Sequence, residues 1–258
     1  GYPDKWRDYS KLNIDANASL WENMLAVSAF EDEFWLNKIG AEKDPTLWYM
    51  NAHEINAYYD PSTNEVCFPA GILQYPFFDM AADDAFNYGA IGSIIGHEMT
   101  HGFDDSGRHF DANGNMTDWW TADDARGFDE RANVLRAYFD KIVIAGDVHA
   151  NGTFTLGENL ADYGGITVSF TAYKNFGLAS NDVDGYTADQ RFFIAYATSW
   201  AQNIRSDEEL RLTKIDEHSL ANNRVNGILP HITAWYDAFG ITPHDRLYVA
   251  PENRIKLW

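Results

Sequence analysis

The segment His97-Glu98-Met99-Thr100-His101 constrains this chain more than any other. On a helix, residues four apart lie one turn apart on the same face. Both imidazoles can then reach a single metal ion. Glu98, beside the first of them, can hold the metal's water and take its proton. With 8 His among 258 residues, a shuffled chain carries a His-Glu-x-x-His segment only about 0.01 times. The competing reading is two solvated histidines on a helix.

A catalytic zinc site takes three protein ligands and keeps one position open. One known pattern places a third His six residues after the second. Gly107 stands there, which excludes that pattern. The other common solution is a Glu on a later helix. Glu158-Asn159-Leu160-Ala161-Asp162 offers one, 57 residues beyond His101. Asp162 lies four residues after Glu158, on the same helical face, where a carboxylate can accept the free N–H of a ligand His and fix its tautomer. Taken alone, Glu158 and Asp162 read better as an acidic pair favourable to a helix N-terminus. Beside the His-Glu-x-x-His segment they read as a ligand and its supporting group.

Composition narrows the functional classes. The chain has 19 Lys plus Arg against 39 Asp plus Glu, a formal charge of −20. Nucleic-acid binding needs a basic footprint, so it is excluded. A 45% apolar and 22% charged chain of this length builds an ordinary globular core rather than a disordered one. The single cysteine, Cys67, excludes a disulfide framework and reads as a small buried hydrophobe. No apolar run approaches the roughly 20 residues of a membrane helix, and the start, Gly1-Tyr2-Pro3-Asp4, has no signal-peptide shape.

No repeat or long linker divides the chain, so residues 1–258 read as one domain, α+β in class and predominantly α. Leu20, Met24, Val27, Phe30 and Phe34 suit a helix burying one face. Tyr58-Tyr59 and Val66-Cys67-Phe68 flank a turn-rich insert, Asp60 to Asn64, and predict a short hairpin. Asp83 or Asp84 caps a helix running through Ile91, Ile94 and Ile95 to about Phe103. Thr121 caps another, containing Phe128, Leu135, Tyr138 and Ile142. A helix from about Gly157 carries Gly164 and Gly165, which mark its end or a close contact. Phe192, Phe193, Tyr196 and Trp200 mark a further helix, and Ile228, Ile232, Trp235 and Phe239 a last long one.

Several of these segments together resemble a family. Ile95-Gly96 before the metal segment, Gly102-Phe103-Asp104-Asp105 after it, and Gly157-Glu158-Asn159-Leu160-Ala161-Asp162-Tyr163-Gly164-Gly165 are similar to the neprilysin-type zinc endopeptidases. That family includes endothelin-converting enzyme and the bacterial oligoendopeptidases O. Asn56-Ala57-Tyr58-Tyr59, Phe68-Pro69-Ala70-Gly71-Ile72-Leu73-Gln74, His218-Ser219, Arg224-Val225-Asn226-Gly227 and Lys256-Leu257-Trp258 extend the resemblance over essentially the whole chain. It implies a thermolysin-like zinc peptidase catalytic domain, with a small sheet or hairpin beside the active-site helix. It further implies one Zn2+ held by His97, His101 and Glu158. Glu98 would activate a zinc-bound water, Asp162 would support a ligand His, and His218 would stabilise the oxyanion. Arg224 would donate to a peptide carbonyl, and Asn56 and Ala57 would hold substrate backbone. Ile72, Phe77, Ile94 and Trp200 would line an apolar pocket for the residue after the scissile bond. Ser93 departs from relatives that carry a bulky side chain there, so the pocket's depth is open.

Family members also have a long helical N-terminal region that covers the site. The expected partners are therefore a peptide substrate and an N-terminal covering domain or chain, and no nucleic acid. Animal relatives carry a Cys near the C-terminal Trp that is missing here, so the expected setting is a bacterium, cytoplasmic or cell-surface. Two alternatives stand beside an endopeptidase. One is a zinc aminopeptidase, which needs a site for a free amine. The other is a binding module with structural zinc, which needs no base such as Glu98. The remaining histidines have no ligand-like spacing. Asp104 and Asp105 could support the metal or simply close the helix, and Asp111 to Asn115 reads as a turn rather than a calcium loop.

Overall fold

The computed structural model describes residues 1–177 and 181–257, so Trp258 of the C-terminal signature lies outside the described residues. The chain is predominantly helical with two small antiparallel hairpins. Its first helix, α1 (Leu20–Leu36), starts at a reciprocal cap between Ser19 and Glu22. The first hairpin pairs β1 (Tyr58–Asp60) with β2 (Glu65–Cys67) around the Asp60–Asn64 insert.

The helix before the metal segment is capped by Asp83, which accepts the Phe86 N–H at 2.9 Å. It is not uniform. α2 (Asp84–Asn87) passes through a π-helical turn, Tyr88–Gly92, before α3 (Ser93–His101). Neighbours explain the interruption. Ser169 Oγ donates to the Tyr88 carbonyl at 2.6 Å. Gly89 lies against the Phe192 carbonyl so closely that a Cβ would come within 2.0 Å of it. One turn carrying an extra residue is a common device near functional sites.

Thr121 caps α4 (Ala122–Phe139), but Ile142 lies beyond that helix rather than inside it. A second hairpin, β3 (Val143–Ala145) and β4 (Val148–His149), leads to α5 (Leu156–Asn175). Gly164 and Gly165 do not end α5; they are its contact with α3. A Cβ on Gly165 would sit 2.4 Å from the Ser93 carbonyl and 2.8 Å from the His97 nitrogen. A Cβ on Gly164 would meet Thr100 Oγ1 at 2.4 Å, and one on Gly96 would meet the Gly165 carbonyl at 2.8 Å. Only glycines let the two backbones come this near.

Thr187 opens α6 (Ala188–Ser199) with a capping box, and Trp200 caps its end. α7 (Ser206–Ile215) and α8 (Ala221–Asn226) follow. The expected last long helix is instead a 3-10 turn, Leu229–His231, and a seven-residue α9 (Thr233–Phe239). Pro230 lacks an amide donor and cannot sit inside a continuous helix. The main core packs α4, α5, α6 and the C-terminal segment, with Leu135, Phe139, Leu160, Ile166, Phe192 and Leu257 nearly or fully buried. Cys67 and the Asp111 turn are as expected: the thiol is buried, and Asp111 Oδ1 accepts the Asn113 and Asn115 N–H groups.

The apolar stripe of α1 does not bury a face as its spacing suggested. No residue of α1 is buried; Leu20 and Trp21 are 80% and 70% exposed. Of the stripe, Val27, Phe30 and Phe34 are partly covered, the two rings by the Arg7 guanidinium and Tyr9.

This packing has two testable consequences. Gly165→Ala should lower stability by about 1–3 kcal/mol, the usual cost of overpacking, and should also reduce the metal bound per chain. Urea unfolding and elemental analysis check both. Burial, aided by Arg254, pushes His231 down to about 4, while its Nδ1 accepts the Ile255 N–H at 3.2 Å. The unfolded chain then binds a proton that the folded chain refuses. Stability present above about pH 6.5 should be lost as pH falls toward the folded value, by up to roughly 3 kcal/mol. In metal-free protein, the drop in urea midpoint between about pH 7 and about pH 5 should be smaller for His231→Gln.

Candidate active site

The glycine contact brings the first turns of α5 against α3, and the predicted ligands meet there. His97 Nε2 lies 3.0 Å from His101 Nε2 and 3.3 Å from Glu158 Oε2; His101 Nε2 is 3.5 Å from Glu158 Oε1. The other nitrogen of each ring is already engaged. His97 Nδ1 donates to Asp162 Oδ1 at 2.9 Å, and His101 Nδ1 to Asp104 Oδ2 at 2.8 Å. Two lone pairs and a carboxylate are therefore aimed at one point, and Glu158 Oε2 is buried without a hydrogen-bond partner. Such an arrangement needs a cation, a proton or a metal, between the donors. Donors about 2 Å from a tetrahedral metal lie about 3.3 Å apart, which is the spacing seen. Among the described residues, no other group of His, Cys, Asp or Glu converges in this way.

Electrostatics reinforce the geometry. Burial alone would lower His97, but Asp162 and Glu158 outweigh it and raise it to about 9. Burial alone would raise Glu158, but His97, His101 and His218 hold its carboxyl well below the usual range. The pocket thus favours positive charge at the Nε2 atoms, and a metal can supply that charge in place of the proton. Burial raises the pKa of Glu98, partly offset by the two histidines. The residue is only 5% exposed, lines the cleft, and its carboxylate makes no hydrogen bond or ion pair among the described residues. An unpaired carboxylate with a raised pKa suits a group that must take and return a proton.

Asp162 also carries a second load. Arg224 donates to it twice, from Nε and Nη2, both at 2.7 Å. Arg224 is itself 6% exposed and stacks 3.9 Å over Trp200. So most of the guanidinium is committed to Asp162, and only Nη1 is left without a hydrogen bond among the described residues. His218 is on the same side: its Nε2 lies 3.3 Å from Glu158 Oε2, and its Nδ1 is held by Asp216 at 2.8 Å. Ser219 Oγ donates to Asn159 Oδ1 at 2.8 Å, which ties this segment to α5.

A cleft of about 500 Å³ runs over these groups. Asn56 and Ala57 line it just before β1, whose far edge has no strand partner among the described residues. Ile72, Phe77, Ile94 and Trp200 line it too, and they pack in one apolar cluster. Ser93 is buried and does not reach the cleft. All thirteen predicted site residues except Asp162 line this one cleft, and Asp162 sits directly behind His97. Two supporting residues were not assigned from sequence. Asp104 stands three after His101 and Asp216 two before His218, spacings equally common in plain helix ends and turns.

The family model for peptidase family M13 matches residues 56–255. The chain belongs to peptidase family M13. It is 37% identical over its whole length to the neutral endopeptidase of Lactococcus lactis subsp. cremoris and 34% to human neprilysin. Its fold superposes on Mycobacterium tuberculosis zinc metalloprotease Zmp1 in complex with an inhibitor, with TM-score 0.95 and 41% identity, and on Lactobacillus rhamnosis PepO, with 0.89 and 37%. This M13 chain spans all 258 of its residues in those matches but only about 40% of the length of the relatives.

Removing the charge that supports His101 should weaken the metal centre. Asp104→Asn keeps an acceptor for the Ser106 and Gly107 N–H groups but loses the carboxylate. Metal affinity should fall about tenfold to a hundredfold, measured by competition with a chromogenic chelator.

Proposed function

We propose that this chain is the catalytic domain of a zinc-dependent endopeptidase that cuts peptides on the amino side of large apolar residues. The convergence of His97, His101 and Glu158 on one point, with Glu98 unpaired beside it, carries the proposal. Two nitrogens, one carboxylate and tetrahedral spacing favour zinc over harder cations, which prefer oxygen. Bound there, zinc supplies a Lewis acid for the scissile carbonyl and acidifies water.

The remaining roles belong to the chain. Asp162 and Asp104 fix the two imidazoles in the tautomer that offers Nε2. Glu98 takes the proton of the attacking water and returns it to the leaving amine. His218, its Nδ1 held by Asp216, presents Nε2 to the cleft as a donor for the developing oxyanion. Arg224 Nη1 is free to donate to a substrate carbonyl. Asn56, Ala57 and the open edge of β1 suit strand addition by an extended peptide. Ile72, Phe77, Ile94 and Trp200 accept the apolar residue after the bond.

The chain's share of its relatives' length supports a covering partner as well. Trp6, Leu20, Trp21, Leu36 and Ile39 are each more than three-fifths exposed near the start of the chain, and a covering segment seated there would bury them. That segment would restrict access to the cleft and help to exclude water.

Zinc per chain after dialysis should be about one. Glu98→Gln should keep that zinc and lose nearly all hydrolysis of an N-terminally blocked peptide, at least about a hundredfold. Retained turnover in Glu98→Gln removes Glu98 from the role of base, and failure to cut blocked peptides removes the endopeptidase reading.

A further inference from the structure

We infer that Asp105 recognises a basic side chain, arginine or lysine, of a peptide lying in the cleft, at a position before the bond to be cut. This rests on the peptidase reading for the direction of the peptide. The cleft runs along α3. Ile94 and the apolar pocket lie at one end, the three metal-facing residues come next, and Asp105 with Ser106, Gly107 and Phe154 lies beyond His101. The seven residues from Ile94 to His101 alone advance about 10 Å along the helix. If the apolar pocket takes the residue after the bond, the Asp105 end takes residues before it.

Asp105 has no other employment. Its neighbour Asp104 is saturated, with Oδ2 on His101 and Oδ1 on the Ser106 and Gly107 N–H groups. Asp105 makes no ion pair and no hydrogen bond to another residue among those described, and its Oδ1 is buried without a partner. The nearest cations, Arg108 and Arg136, make no hydrogen bond or ion pair to Asp105 among the described residues. Arg108 stacks over Trp120 and Phe128, and Arg136 donates to Asn133. Burial and the charge of Asp104 oppose ionisation of Asp105 and outweigh the help of Arg136 and Arg108, a cost that an arriving cation relieves.

The surroundings suit an organic cation rather than a metal. No third His, Cys, Asp or Glu joins Asp105 in a ligand-like cluster among the described residues. Oδ1 is closed off by α5, since a Cβ on Gly157 would come 3.0 Å from it, and Oδ2 is the oxygen left to face the cleft. Phe154, 42% exposed, and Tyr59, which lies against Gly102, offer apolar surface at the same end. Aromatic walls of this kind accept the methylene stem of a long basic side chain while its charged head reaches the carboxylate.

The test is binding of labelled peptides to zinc-loaded Glu98→Gln protein. Each peptide carries an apolar residue after the intended bond and arginine, citrulline or glutamate at one of the two positions before it. Citrulline keeps the shape of arginine and removes its charge. Arginine should bind about tenfold or more tightly than citrulline at one position, as a charged hydrogen bond in a part-buried site implies, and glutamate more weakly than both. Adding Asp105→Asn should erase the difference, with zinc per chain reporting that the double variant still assembles its site. Equal binding of arginine and citrulline at both positions overturns the inference. So does absence of binding by any peptide, or a preference that survives Asp105→Asn. If the double variant does not fold, the citrulline comparison on the parent protein still decides. Turnover is read separately with unmodified Glu98. Cleavage without charge preference sinks only this inference, while charge-selective binding without any cleavage sinks only the peptidase reading.

Discussion

Helices α3 and α5 approach so closely that backbone meets backbone at Gly96 and Gly165, and Gly164 makes room only for Thr100. Ordinary helix pairs keep their axes about 8–10 Å apart because side chains fill the space. Here the missing Cβ atoms let a carboxylate on one helix come within 3.5 Å of imidazoles on the other. Every functional group of the cleft is arranged around that crossing. The π-helical turn before α3 and the Ser169 hydrogen bond to Tyr88 belong to the same packing, since they fix where α3 begins relative to α5 and α6.

The crossing buries charge, and charge is costly to bury alone. Asp162 is shared between His97 and Arg224, so one carboxylate compensates two donors. Trp200 covers the guanidinium and at the same time forms part of the apolar pocket. A change at any of these positions therefore acts on the metal-facing ring as well as on the wall of the cleft. Further out, Tyr163 on α5 donates to the Ile255 carbonyl, and Arg131 to that of Leu257. The C-terminal segment thus braces the helix that carries Glu158.

The cleft is chemically unequal along its length. One end is apolar; the other carries Asp104, engaged by His101 and two backbone N–H groups, and Asp105. Separate from the cleft, the exposed apolar face at α1 is much larger than a lone surface leucine would explain.

Features set by neighbours along the chain are legible in the amino-acid sequence itself. The four-residue spacing of His97 and His101, the caps at Asp83 and Thr121, the hairpin around Asp60 to Asn64 and the Asp111 turn all depend on hydrogen bonds spanning a few residues. Glu158 and Asp162 are legible as a pair on one helical face, though their role comes from the company of a distant segment. Tertiary structure alone decides what depends on partners far apart in the chain. Spacing cannot say that Arg224 spends two donors on Asp162, because 62 residues separate them. Nor can it decide between ligand support and helix closure for Asp104, because both use the same local position. Periodicity measures which residues share a face, not whether anything lies against that face, so α1 has the pattern of a half-buried helix and is exposed. Hydrophobic pattern likewise runs through Ile228 to Phe239, but Pro230 cannot donate, and the chain breaks there into a 3-10 turn and a short helix. The order of residues supplies the chemical groups and their local geometry. The glycine crossing of two helices decides which of those groups face one another, because there segments distant in sequence come close enough to share a cation.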